Sequence, residues 1–89
     1  MSEHDLNALK QELKVMIVTE CDKDIAPESI ADDEQLIGGD LALDSLDALQ
    51  ICMAVKTRYG VRIEGGQSAR AALQSISALA ATIAADKAA

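Results

Sequence analysis

Residues 38–60 read GGDLALDSLDALQICMAVKTRYG, and the triplet Asp44-Ser45-Leu46 stands at their centre. A loop led by two glycines runs into an amphipathic helix, which we predict to begin at Asp44 or Ser45 and to end before Gly60. Asp44 and Asp47 are spaced as in an acidic variant of the capping box. Ser45 therefore either caps the helix or is presented for modification by another protein. Spacing alone favours the cap.

The predicted second helix has two different apolar sides. The stripe expected to face the core is Ala48, Ile51, Cys52, Val55 and Tyr59. If that stripe packs inward, Leu46, Leu49 and Met53 are left at least partly exposed, on a flank nearer Ser45. Exposed apolar residues beside a modification site suggest a contact surface, although single exposed apolar residues are also common.

Ser45 is also placed where a phosphate ester would meet the start of a helix. Backbone N–H groups that are free in the first turn attract anions. Asp44 and Asp47 would repel the same phosphate, so the predicted local field is mixed.

A first helix is predicted from about Asp5 to Cys21, capped by Ser2 or Asp5. Its apolar residues recur at helical intervals: Leu6, Leu9, Leu13, Met16 and Ile17. The connection that follows, residues 22–43, is too long to lie idle in a compact domain. We expect its separated apolar residues to pin it to the helices: Ile25, Ile30, Leu36, Leu41 and Leu43.

After Gly60 the segment Val61-Arg62-Ile63 is interpreted as extended loop, because a single strand cannot form a sheet. Gly65-Gly66 acts as a hinge, and a short helical turn follows from about Ser68 to Leu73. The last helix is predicted to be capped by Ser75. Its expected apolar face is Ile76, Leu79, Ala80 and Ile83. The predicted fold is all-α: one domain over residues 1–89, a small four-helix bundle with a long first loop and a short third helix.

The amino-acid composition and charge of the chain argue against some classes of function. The 89 residues are 49% hydrophobic, and Tyr59 is the single aromatic residue, so the core is expected to be aliphatic. Residues 1–50 hold 13 acidic and three basic side chains, and the chain carries a net charge of −7. We expect no nucleic-acid partner, because an acidic surface repels phosphates and almost nothing can stack on bases. Proteins with basic patches are better partners.

Other signals favour ordinary structural roles. Cys21 and Cys52 have no metal-site spacing and are expected to be buried free thiols. The acidic residues of the long connection, Asp22, Asp24, Asp32, Asp33, Glu34 and Asp40, do not fit a calcium loop, so we expect no metal site. His4, the only histidine, is expected to be tail surface, and we predict no catalysis. Arg58, Arg62 and Arg70 are either surface charges or a positive patch.

The N-terminus has no signal-peptide pattern and no apolar run is long enough to span a membrane. Together with the expected free thiols, this favours a cytoplasmic protein. A monomer is the default expectation.

The segment DLALDSLDALQICMAVKTRYGVRI, residues 40–63, resembles the modification region of acyl carrier proteins, in which Asp-Ser-Leu opens the second helix. The order of the first helix, long loop, YGVRI exit, short third helix and SISALAATIAA final helix also resembles that family. The resemblance covers nearly the whole chain.

The resemblance implies a non-catalytic carrier. Ser45 matches the serine that bears 4′-phosphopantetheine, which a phosphopantetheinyl transferase takes from coenzyme A. The arm holds acyl or polyketide intermediates as thioesters for type II synthase enzymes: a ketosynthase, a ketoreductase, a dehydratase and acyl-loading enzymes. Asp44, Leu46, Asp47 and Met53 match positions at which the family meets its partners.

Several residues differ from those usual in the family, and these differences favour some biosynthetic pathways over others. Ala42 replaces a usual glycine, and the predicted second helix carries Gln50, Lys56 and Arg58, whereas fatty-acid carriers are strongly acidic there. The pattern is more similar to dedicated type II carriers, such as those for aryl polyene pigments. Gly38-Gly39-Asp40 stops short of the serine, unlike the peptidyl-carrier pattern. An aminoacyl or peptidyl carrier and an unmodified helical protein–protein interaction module stay open as alternatives.

Overall fold

The computed structural model describes residues 3–39, 43–64 and 66–88. Four α-helices lie in these ranges: α1 (Glu3–Glu20), α2 (Ser45–Tyr59), α3 (Gln67–Ala72) and α4 (Ile76–Ala88). A one-turn 3-10 helix, Pro27–Ser29, interrupts the long connection between α1 and α2. The described ranges contain no strand. The predicted all-α bundle with a long first loop and a short third helix is therefore confirmed.

The core is aliphatic and lies where α1 packs against both α2 and α4. Its buried members are Leu9, Leu13, Met16, Ile17, Ile30, Leu36, Leu43, Ile51, Ala54, Val55, Val61, Ala72, Leu73, Ile76, Leu79, Ala80 and Ile83. All four residues predicted for the apolar face of α4 are among them. Burial of such side chains is the main favourable term in the free energy of folding.

The predicted core stripe of α2 is partly right. Ile51 and Val55 are fully buried, whereas the other three members, Ala48, Cys52 and Tyr59, are half-buried against the edge of the core. Ala54, which the prediction omitted, is only 8% exposed. It lies three residues after Ile51 and so shares its side of the helix.

Helix α1 begins at Glu3, two residues before the predicted start. Asp5 therefore lies inside the helix and cannot be its N-cap, and Ser2 lies outside the described residues. His4 is exposed on the first turn of α1 rather than in a tail. The helix ends in a Schellman motif, in which Asp22 N–H donates to Thr19 O and Lys23 N–H donates to Val18 O.

The long connection leaves α1 at Asp22, whose φ of +52° lies in the left-handed region. Ile25 follows this turn and is 39% exposed, so its prediction as an anchoring residue is wrong. Ile30, Leu36 and Leu43 are buried, as predicted. Leu41 lies outside the described residues.

A buried lysine fixes the middle of the connection. Lys14, on α1, is only 6% exposed, and its Nζ lies 2.7 Å from Oδ1 of Asp32. The hydrogen bond from Lys14 keeps the pKa of Asp32 below its ordinary value. The backbone carbonyl of Asp32 accepts the N–H of Ser77 at 2.9 Å. Asp32 therefore ties the connection to both α1 and α4.

The exit from α2 follows the prediction. Gly60 ends the helix in the left-handed region with φ +68°, which glycine adopts without strain. Residues 61–63 lie outside any helix or strand, and Val61 is buried. The Tyr59 hydroxyl donates to Oε1 of Glu12 at 3.1 Å, and burial together with this bond raises the pKa of Tyr59 to about 12.

No described helix is both long enough and apolar enough to cross a membrane.

Candidate functional site at the start of α2

The start of α2 is organised by Asp44. Its Oδ1 accepts the backbone N–H groups of Leu46 and Asp47, each at 3.0 Å. In return, Oδ2 of Asp47 accepts the N–H of Asp44 at 3.1 Å. The predicted acidic capping box is therefore complete. Asp44, and not Ser45, is the N-cap of this helix.

Ser45 is the first helical residue and is exposed. Because the side chain of Asp44 caps the N-terminus of α2, the hydroxyl of Ser45 is not needed for capping. None of the hydrogen bonds among the described residues uses Oγ of Ser45. The sequence leaves Ser45 either as a helix cap or as a residue presented for modification. The structure gives the cap to Asp44, so the hydroxyl of Ser45 is left accessible to another protein.

The sequence predicts that a phosphate on Ser45 would meet free backbone N–H groups. This prediction is wrong for the N–H groups of the next three residues. The N–H groups of Leu46 and Asp47 already donate to Asp44, and the N–H of Ala48 donates to the Asp44 carbonyl. These are the groups that usually make a helix N-terminus an anion site. Here the Asp44 carboxylate already occupies two of these donors.

Two glycines shape the loop before the helix. Gly38 has φ +79°, a conformation that other residues adopt only with strain. A Cβ on Gly39 would lie 2.6 Å from the carbonyl oxygen of Gln35, so the close approach requires glycine. A single bridge joins Ile37 to Leu43, and Gly38 N–H donates to Leu43 O at 3.0 Å. The loop is thereby closed directly before Asp44. Asp40, Leu41 and Ala42 lie outside the described residues.

The residues predicted to meet partners lie between the N-cap and the middle of α2. Leu46 is 72% exposed and Met53 is 57% exposed, while Asp44 is exposed and Asp47 is half-buried. Leu49, also 57% exposed, lies between the two apolar residues at helical spacing. Leu46, Leu49 and Met53 form one continuous apolar stripe on α2, which we call the apolar stripe below.

A groove of about 670 Å³ opens on another side of Ser45. Sequence reasoning missed it, because its walls come from three separate parts of the chain. The described lining residues are Asp33, Gln35, Ile37, Ser45, Ala48, Ala69, Arg70, Leu73, Gln74 and Ser75. The pattern of the sequence held no signal for this groove.

The three arginines do not act together. Arg58 lies 3.6 Å from Glu20 and Arg62 lies 3.5 Å from Glu64, so each is paired with a carboxylate. Arg70 instead lines the groove that contains Ser45.

The two cysteines are free and half-buried, rather than fully buried as predicted. Partial burial, together with the nearby Asp47 carboxylate, raises the pKa of Cys21 to about 11. Burial also raises the pKa of Cys52. At neutral pH both are protonated thiols, a poor state for nucleophilic attack. The described residues contain no group of three or more side chains able to hold a metal ion.

A comparison with family models gives one match. The model described as "Phosphopantetheine attachment site" matches residues 11–83, which contain α2, the groove and Ser45. Searches of curated proteins and of solved structures gave no significant match.

Proposed function

Because the chain belongs to the phosphopantetheine-attachment family, and is therefore a carrier that bears 4′-phosphopantetheine on a serine, we propose that Ser45 is the attachment residue. Carriers of this family generally perform no catalysis themselves. The observation that carries the proposal is the exposed Ser45 hydroxyl, left without a capping role by Asp44.

The other serines in the matched span are less suitable. Oγ of Ser29 donates to the carbonyl of Ala26 at 2.7 Å. Ser75 is half-buried and caps α4 through its own Oγ, and Ser77 is half-buried. Ser68 is exposed, but it lies inside the six-residue α3. A transferase needs an accessible hydroxyl, and Ser45 provides one at the edge of a groove.

Loading joins Oγ of Ser45 to the phosphorus of the phosphopantetheine part of coenzyme A. The hydroxyl loses its proton, the pyrophosphate bond of coenzyme A breaks, and the adenosine bisphosphate leaves. The terminal thiol of the arm supplies a thioester link to the cargo. Tethering raises the effective concentration of that cargo at each enzyme that the carrier meets.

A mass measurement tests the assignment. We expect the pure protein to gain one phosphopantetheine when it is incubated with coenzyme A and a promiscuous phosphopantetheinyl transferase. Ser45→Ala should gain none, whereas Ser68→Ala, the exposed-serine control, should load like the wild type. Loading of Ser45→Ala, or an unchanged wild-type mass beside a carrier that loads normally, would overturn the proposal.

The proposed partner face is the apolar stripe together with Asp44 and Asp47. Its support is the exposure of Leu46, Leu49 and Met53 beside Ser45. A continuous exposed apolar strip is typical of a surface that binds other proteins. The flanking acids favour partners that present basic residues around an apolar contact.

Met53→Glu tests this face. We expect it to raise the KM of the transferase for the carrier roughly tenfold, which corresponds to the loss of about 1.4 kcal/mol of binding. Val15→Glu makes the same chemical change at a 49% exposed residue of α1 and should leave KM unchanged. Equal effects of the two changes, or a loss of folding in Met53→Glu, would contradict the assignment.

We further propose that the carrier serves a dedicated type II pathway, fatty-acid-like, polyketide or aryl polyene, with a ketosynthase, ketoreductase, dehydratase and acyl-loading enzymes as partners. The support is charge: α2 carries Lys56 and Arg58 in its last turn and only Asp47 as an acid. The acyl group found on the protein purified from its host tests the pathway. An amino acid or a peptide in its place would identify an aminoacyl or peptidyl carrier.

We also propose that the protein is a monomer and that it is located in the cytoplasm. Both cysteines are free thiols, the form that a reducing compartment maintains. Sedimentation of the loaded protein and its distribution after cell fractionation test the two points.

A further inference from the structure

The surroundings of Ser45 are unfavourable for the phosphate that loading would place there. Asp44 and Asp47 both lie within two residues of Ser45, and the Asp44 carboxylate already accepts the N–H groups of Leu46 and Asp47 in the first turn of α2. A phosphodiester on Oγ adds a further negative charge to this end of the helix. Like charges held close together repel, so a positive group outside the helix start would be needed to hold the phosphate in one place.

Arg70 is such a group. It lies at the end of α3 and lines the same groove as Ser45. It is the only lysine or arginine among the described lining residues. Arg58 and Arg62 are paired with glutamates, and Lys10 and Lys14 with Asp32. No described carboxylate lies within 4.0 Å of the Arg70 guanidinium, although Asp33 lines the groove as well.

We propose that Arg70 binds the phosphodiester of the arm attached to Ser45. The inference rests on the proposed function, which makes Ser45 the attachment residue. A guanidinium suits this task because its planar fork of donors matches two phosphate oxygens. We assign the phosphodiester as the anion that Arg70 binds, because it is attached to Oγ of Ser45 and does not depend on which cargo the arm carries. A carboxylate of the cargo would lie at the far end of a long arm.

The contact has a consequence for docking. Ser45 and Ala48 face the groove, whereas Leu46, Leu49 and Met53 lie on a neighbouring side of α2. Arg70 would draw the first part of the arm toward α3 and away from the apolar stripe. The partner face then stays clear while the carrier waits between enzymes.

NMR spectroscopy of the apo and loaded protein tests the contact. We expect the Nε–Hε resonance of Arg70 to move on loading and that of Arg62, paired with Glu64, to stay in place. The ³¹P resonance of the loaded protein should shift in Arg70→Gln and not in the matched control Arg62→Gln. Arg70→Lys should show an intermediate shift. Added salt should remove the difference between wild type and Arg70→Gln, because exposed charges are screened.

The outcomes separate this inference from the proposed function. A protein that loads on Ser45 with no response at Arg70 overturns the inference alone. A protein that does not load overturns the proposed function. If Arg70 responds only when the arm carries an acidic cargo such as a malonyl group, the cargo carboxylate is the anion bound and the inference is overturned. Arg70→Gln should unfold at the wild-type temperature, since Arg70 is exposed.

Discussion

Ser45 and Ser75 stand at the starts of two helices and line the same groove, yet their hydroxyls do different things. Oγ of Ser75 accepts the N–H of Ala78 at 3.1 Å and caps α4. Oγ of Ser45 caps nothing, because the carboxylate of the preceding residue, Asp44, accepts the N–H groups of Leu46 and Asp47. Ser75 is preceded by Gln74, whose side chain makes no such bond among the described residues.

In this protein the residue before each serine decides which side chain caps the helix. Asp44 takes the N-cap position of α2, so Ser45 lies one position inside the helix and is exposed. Gln74 makes no capping bond within the described part of the chain, and Ser75 caps α4 itself. The short sequence Asp-Ser-Leu-Asp therefore combines a complete cap with an exposed serine whose hydroxyl is not needed for that cap.

Asp44→Ala should have the largest effect on the stability of the protein. It removes the acceptor of two N–H groups at once, and we expect a loss of about 1–2 kcal/mol in the free energy of unfolding, or roughly 5–15 °C in Tm. Thermal unfolding followed by circular dichroism measures it. Asp44→Asn is the matched control, because asparagine is an equally good N-cap. A wild-type Tm for Asp44→Ala would show that Asp44 is not the effective cap.

Ser75→Ala should have a smaller effect on stability and none on loading. It removes one capping bond from α4, while the N–H of Ser77 keeps its bond to Asp32. We expect a loss of about 1 kcal/mol, or roughly 4–8 °C in Tm. Ser75→Asp should recover most of the loss. A drop in loading rate without a drop in Tm would place Ser75 in the modification site instead.

Local patterns in the sequence were enough to predict the features that depend on neighbouring residues. The Asp44–Asp47 box and the buried face of α4 follow from spacings of three or four residues, and the end of α2 follows from the glycine at position 60. The exposure of Leu46 and Met53 followed from the same periodicity. Capping and amphipathicity are short-range effects, so they are visible in a single sequence.

Features that depend on distant residues could not be predicted. The groove needs residues 33–37, 45–48 and 69–75 to meet, and nothing in any one segment indicates the other two. The Lys14–Asp32 pair joins α1 to the long connection, and no pattern within either segment indicates the partner in the other. Ile25 is as apolar as the buried residues of the connection, yet it is 39% exposed, three residues after the left-handed conformation at Asp22.

Ser45→Ala should have the smallest effect on stability, smaller than that of Ser75→Ala. The hydroxyl makes no hydrogen bond among the described residues and the side chain is exposed, so we expect the free energy of unfolding to change by no more than about 0.5 kcal/mol. Thermal unfolding of the two alanine variants side by side measures the difference. If Ser45→Ala lost as much stability as Ser75→Ala, the hydroxyl of Ser45 would be part of the cap. The two serines would then be equivalent, and the case for Ser45 as the accessible nucleophile would lose its structural basis.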